Sequence, residues 1–140
     1  MFFFAASLQA FAQTSLTSHF VKKDVLEQIV TDFDLATIRS SLGPRRDQSH
    51  RTLHSFGFTK STPTPNTLVL EDEGFIYQIQ LLHRGDLNQD GVEDLALCLT
   101  EKAKQGTYHA QKPLLVSKYT ATGMAVALQF EIDGCERFAR

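Results

Sequence analysis

The chain reads as an α+β domain, in which short N-terminal helices pack on an antiparallel β-meander of about five strands that carries an acidic hairpin loop. Two observations predict this class. Apolar residues recur at helical spacing in the first part of the chain and at alternate positions from Thr67 onward. The helical stretches also come first and the strands afterwards, with no alternation of the two that would signal a parallel sheet.

The elements follow in chain order. The first twelve residues, MFFFAASLQAFA, carry no charge and end in Ala10-Phe11-Ala12, the small-x-small form of a signal-peptidase site. Residues 1–12 are therefore read as a signal-peptide remnant cleaved after Ala12, although no Lys or Arg precedes the apolar run. An apolar segment packed on the core is the other reading. The run is too short to span a bilayer, which takes about 20 apolar residues. Residues 13–140 would then form a single α+β domain, periplasmic or secreted.

Ser18 is a candidate N-cap for a first helix, with Val21, Val25, Ile29, Val30 and Phe33 at helical spacing. Asp34 caps a second, with Leu35, Ile38 and Leu42 on one face, and Gly43-Pro44 ends it. A third is expected from Asp47 to Phe56, stopped by Gly57. The prolines of "STPTPNT", 61–67, predict a loop.

From Thr67 the spacing predicts a strand, a tight turn over 71–74, and a longer strand with Phe75, Tyr77, Ile79 and Leu81 on one face. "DLALCLT" repeats the pattern with Leu95, Leu97 and Leu99. A last pair, "PLLVSKYT" and "MAVALQFEI", is joined at Ala121-Thr122-Gly123, with Met124, Val126, Leu128, Phe130 and Ile132 alternating. At 140 residues, 42% apolar and 21% charged, the chain can bury a core without staples. Its net charge of −2 provides no general attraction to nucleic acid or an anionic membrane. Cys98 and Cys135 can pair and tie the C-terminal tail to a central strand, or Cys98 can be a small buried thiol.

The stretch "RGDLNQDGVEDLAL", 84–97, has the chemistry of a ligand site. Asp86, Asn88, Asp90 and Asp94 occupy loop positions 1, 3, 5 and 9, and the Val92 carbonyl at position 7 makes a fifth oxygen. Calcium takes about six to eight such oxygens, and Gly91 permits the bend that gathers them. Asp86, Asn88, Asp90, Val92 and Asp94 are thus the expected ligands of a weak, structural Ca2+ site. An EF-hand would place a Glu at position 12, where this chain has Leu97, and would flank the loop with helices. The Gly85–Leu97 motif instead resembles the calcium loop of FG-GAP and VCBS repeats, which lies between two strands. That resemblance implies the same five ligands. It does not imply the propeller those repeats build, since this chain has one copy.

Weaker signals were weighed beside it. Arg84-Gly85-Asp86 spells an integrin tripeptide, but Asp86 is already the first metal ligand. His50 and His54 share a predicted helix face without a third ligand or a Glu base. Arg45, Arg46 and Arg51 cluster where an anion or an acidic partner could bind. No phosphate loop, nucleophile elbow or spaced carboxylate pair is present. The expectation is an exported, monomeric, non-enzymatic domain that binds a protein or ligand partner, with no nucleic acid and no transmembrane span. The alternative is a small hydrolase or carbohydrate-active accessory protein whose site the calcium loop orders.

Overall fold

Where the apolar period changes to two, the chain becomes one continuous sheet. The computed structural model describes residues 16–43 and 47–140. Its strands are β1 (Thr59–Thr64), β2 (Thr67–Glu71), β3 (Phe75–Gly85), β4 (Asp94–Ala103), β5 (His109–Ser117), β6 (Val126–Gln129) and β7 (Phe138–Ala139). The order β1-β2-β3-β4-β5-β6 is a simple meander, and all its pairs are antiparallel. β7 lies against β5 beside β6, so the two short strands share one edge of β5. The expected turn over 71–74 joins β2 to β3, where Asp72 Oδ1 accepts from the Gly74 and Phe75 amides at 2.9 and 2.8 Å.

The α+β class is corrected: the fold is β-rich. Among the described residues there is one α-helix, α1 (Val25–Asp32), a shortened form of the first helix expected, and the second and third helices expected over 34–56 do not form. Asp34 does cap a turn, accepting from Ala36 N, but a single 3-10 turn over Leu35–Thr37 follows and Ile38 is already extended. Tertiary partners hold the segment in its non-helical course. Asp34 N donates to the Ala125 carbonyl at 2.8 Å, Leu35 N to the Arg51 carbonyl at 3.0 Å, and Thr37 Oγ1 accepts from Ala127 N at 3.1 Å. Further on, Asp47 Oδ1 accepts from the Ser49 amide and hydroxyl and bonds His50 Nδ1, a local turn that competes with helix. Only a 3-10 turn, His54–Phe56, survives there, and Gly57 ends it at φ 71° as expected of a left-handed cap. Ser18 caps no helix.

Two further expectations change. Most of the loop read from "STPTPNT" belongs to β1 and its tight connection to β2. A proline is tolerated on an edge strand, where its missing N–H takes no ladder bond from a partner. The final strand stops at Gln129, so Phe130 and Ile132 lie beyond it and Phe130 is exposed. The leader, with its cleavage after Ala12, lies outside the described residues. No helix among the described residues is long and apolar enough to cross a membrane.

α1 and the segments that failed to become helices together cover the sheet. Phe20, Leu26, Ile29, Val30, Phe33, Leu35, Ile38, Leu42 and Leu53 pack on one face against Tyr77, Ile79, Leu95, Leu97, Leu99, Leu114 and Val116 in one hydrophobic cluster. Tyr77 is fully buried with its hydroxyl 2.7 Å from Ser41 Oγ. On the opposite face Cys98 of β4 is bonded to Cys135, which resolves the cysteine alternatives in favour of the pair. The register moves by one residue between Leu81 and His83, so Arg84 faces Leu95 and Gly85 faces Asp94 at the mouth of the β3–β4 hairpin.

Candidate metal centre

The loop between Gly85 and Asp94 is folded around its own carboxylates. Asp86 Oδ1 accepts from Asp90 N at 3.0 Å and its Oδ2 from Gly91 N at 2.8 Å. Asp90 Oδ1 accepts from Val92 N at 3.0 Å. Asp94, fully buried, accepts from the Leu87 and Asn88 amides at 2.9 and 3.2 Å through Oδ2 and from Ser117 Oγ through Oδ1. Two positive φ angles make the curl possible, 62° at Gln89 and 85° at Gly91. A Cβ at Gly91 would meet nothing within 4 Å, so the dihedral, and no lack of room, asks for glycine there.

These bonds bring one carboxylate oxygen each from Asp86, Asp90 and Asp94 within 4.8 Å of one another. Among the described residues this is the one group of acidic, His or Cys side chains arranged to share a metal ion. No salt bridge of the described residues engages any of the three. Asp94 Oδ2 takes two amides, but Asp86 Oδ1, Asp86 Oδ2 and Asp94 Oδ1 each accept one donor and keep a second lone pair, so the loop bonds leave acceptor capacity for an ion. Asn88 adds a neutral oxygen: its Oδ1 is buried with no hydrogen-bond partner, which ordinarily costs about 1–3 kcal/mol unless something occupies the acceptor. The donor set therefore fits a hard cation. The Val92 carbonyl takes no part in the bridge described next, which uses the backbone groups on either side of it.

Several contacts around the loop come from parts of the chain remote in sequence. Thr17 forms a parallel bridge to Val92, its N donating to the Gly91 carbonyl at 3.1 Å and its O accepting from Glu93 N at 2.8 Å. Tyr119, just past β5, donates its hydroxyl to Asp90 Oδ2 at 3.0 Å, and Ser117 reaches Asp94 from the same strand. The Val92 amide, followed by the Tyr119 hydroxyl, holds the Asp90 carboxyl below the usual carboxylate range. No spacing rule points from Ser117, Tyr119 or Thr17 to the loop; only the pairing of β4 with β5 and the N-terminal bridge bring them there.

The other candidates separate. Arg84 donates to Glu93 at 2.7 Å and to the Lys22 carbonyl at 3.2 Å, so both charged members of the Arg-Gly-Asp tripeptide are held within the fold. Burial pushes the Glu93 carboxyl up, and the Arg84 and Ser18 bonds more than offset it, leaving it below its ordinary value. His50 and His54 do not lie on a common helix: one sits in the Asp47 turn, the other in a 3-10 turn. Arg51 donates to buried Asp34 at 3.0 and 2.6 Å, while Arg45 and Arg46 lie outside the described residues. Compared with known proteins, the chain matches no family model, no curated protein and no solved structure.

Proposed function

We propose that this protein is an exported calcium-stabilised β-domain, with the ion held by Asp86, Asn88, Asp90, the Val92 carbonyl and Asp94, and that it serves as a binding module for a protein or ligand partner. The observation that carries the reading is the convergence of the Asp86, Asp90 and Asp94 carboxylates, none of them in a salt bridge of the described residues, in a loop that also holds the buried, unpartnered Asn88 oxygen. Five protein oxygens in a curled loop suit calcium, which accepts six to eight ligands in flexible geometry, better than magnesium, which demands a tight octahedron. When bound, the ion offsets the mutual repulsion of the carboxylates and closes the β3–β4 turn. The Cys98–Cys135 disulfide supports placement in an oxidising compartment such as the periplasm or the cell exterior. The likeness of Gly85–Leu97 to FG-GAP and VCBS calcium loops supports the choice of ion and says nothing of the partner.

Tyr119 provides the test. Its ring is tethered to Asp90, so terbium in the loop should emit when tyrosine is excited, and calcium should quench that emission by competition. A weak site, with a Kd on the order of 10⁻⁴ to 10⁻³ M, is expected from the absent position-12 carboxylate. At tenfold excess over Kd calcium should add about 1.4 kcal/mol, or about 5 °C in Tm for a chain of this size, and magnesium much less. Asp90→Ala should abolish both the emission and the shift, and Glu73→Ala, an exposed acid in another turn, should leave both intact. Glu93 is unsuitable as the control because it anchors Ser18 and Arg84. Equal calcium responses in the wild type and Asp90→Ala would refute the metal centre.

A further inference from the structure

The outer edge of β5 is covered at both ends and bare in the middle. β6 pairs with Leu115, Val116 and Ser117, and β7 pairs with Ala110 and Gln111, which leaves Lys112, Pro113 and Leu114 without a strand of the described residues on that side. Two concavities of about 390 and 510 Å³ flank this gap, and both are lined by Arg39, Lys112 and Arg137. Among the described residues no acidic side chain lines either one, in a chain whose net charge is −2. Lys112 lies 3.4 Å from the buried Glu101 carboxylate, but Arg39 and Arg137 take part in no salt bridge among the described residues. Both residues are exposed, and a guanidinium can take a carboxylate or phosphate in bidentate fashion.

The rest of the walls is apolar. Ile38, Leu114 and Phe130 line one concavity, and Phe75, Tyr108 and Phe138 line the other. The volumes fall within the range of small-molecule sites, about 300–1,000 Å³. A peptide added as a strand fits less well. His109 exchanges both backbone bonds with Arg140, so alternate residues of β5, Gln111 and Pro113 among them, turn their backbone toward this edge. Proline has no N–H, and an incoming strand would lose a ladder bond in the middle of a three-residue gap.

We propose that the Arg39–Lys112–Arg137 groove binds a small organic oxyanion, a carboxylate or phosphate monoester attached to an apolar body. The site is independent of the metal loop. The two arginines hold the oxyanion, while Phe130 and Ile38 or the aromatic wall take the apolar part.

The test uses 8-anilinonaphthalene-1-sulfonate, an aromatic oxyanion that fluoresces when its body leaves water. The oxidised full chain should bind it saturably at one site. The double variant Arg39→Ala/Arg137→Ala should bind at least tenfold more weakly, and Lys23→Ala, a cation elsewhere, should match the wild type. Both arginines are exposed, and a thermal melt superimposable on that of the wild type verifies that the double variant is folded. Octanoate or octyl phosphate should displace the dye where octanol and inorganic phosphate do not, and the more potent of the two identifies the head group. No saturable binding, equal binding by the double variant, or displacement by octanol or inorganic phosphate as effective as by the amphiphilic anions would each overturn the proposal.

Discussion

Cutting the Cys98–Cys135 bond should destabilise the fold more than any single exposed substitution. The bond closes a segment of 37 residues that contains β5, β6 and half of β4. In the chain-entropy description, cross-linking a loop of that length removes about 13 cal/mol/K from the unfolded ensemble, or about 4 kcal/mol at 25 °C. Unfolding entropy near 2.1 cal/mol/K per residue gives a chain of this size about 0.3 kcal/mol/K at its midpoint, so Tm should fall by about 13 °C. Both sulfurs are buried, so removing them also loosens the contact between the tail and the open face of the sheet. The measurement is urea unfolding of the oxidised protein, of the same protein in reductant, and of Cys98→Ala/Cys135→Ala. The reduced and variant forms should agree with each other and differ from the oxidised form in midpoint. A gap below about 1 kcal/mol between oxidised and reduced forms would refute the reasoning, because the loop would then cost the unfolded chain almost no freedom.

Leu42 tests whether the irregular N-terminal segment carries core energy without being helical. It is almost fully buried, and Leu42→Ala should cost about 2–5 kcal/mol in urea unfolding, as for a core leucine in regular structure; a loss below about 1 kcal/mol would refute it. Tyr108 should titrate late. Burial first, and then the Glu101 carboxylate that accepts its hydroxyl at 3.2 Å, push it up to about 12. Its neutral form is favoured in the folded state, so the associated stability is complete below pH 10 and is lost as pH rises from 10 to about 12. Ultraviolet phenolate titration should show a step near pH 12 that is missing in Tyr108→Phe, and a Tyr108-dependent step near pH 10 would contradict it.

The spacing of Asp86, Asn88, Asp90, Gly91 and Asp94 was enough to locate the loop, because a curled hairpin gathers its own side chains and needs no distant partner to do so. The strands from Thr67 to Ser117 were legible for a similar reason. Period-two alternation of the large apolar residues Tyr77, Ile79, Leu95, Leu97 and Leu99 reports extended backbone, whatever covers the face they share. The sequence leaves the pairing of Cys98 and Cys135 open, and the meeting of β4 with the C-terminal tail decides it.

The stretch from Asp34 to Phe56 misled because helical spacing reports only that a segment is buried on one side. Leu35, Ile38 and Leu42 are indeed buried, yet they reach the core from 3-10 and extended backbone. Local helix preference is weak, and bonds to Ala125, Ala127 and Arg51, all remote in sequence, fix the segment in another conformation. The same holds for the groove. Arg39, Lys112 and Arg137 have nothing in their local sequence to join them, and the vacancy on β5 depends on where β6 ends and β7 begins. Sequence alone determined what short-range geometry can enforce, namely the strands and the acidic loop. Only the tertiary structure decided which long-range partners satisfy the backbone, since those bonds set the class of the fold and the cations that meet at its edge.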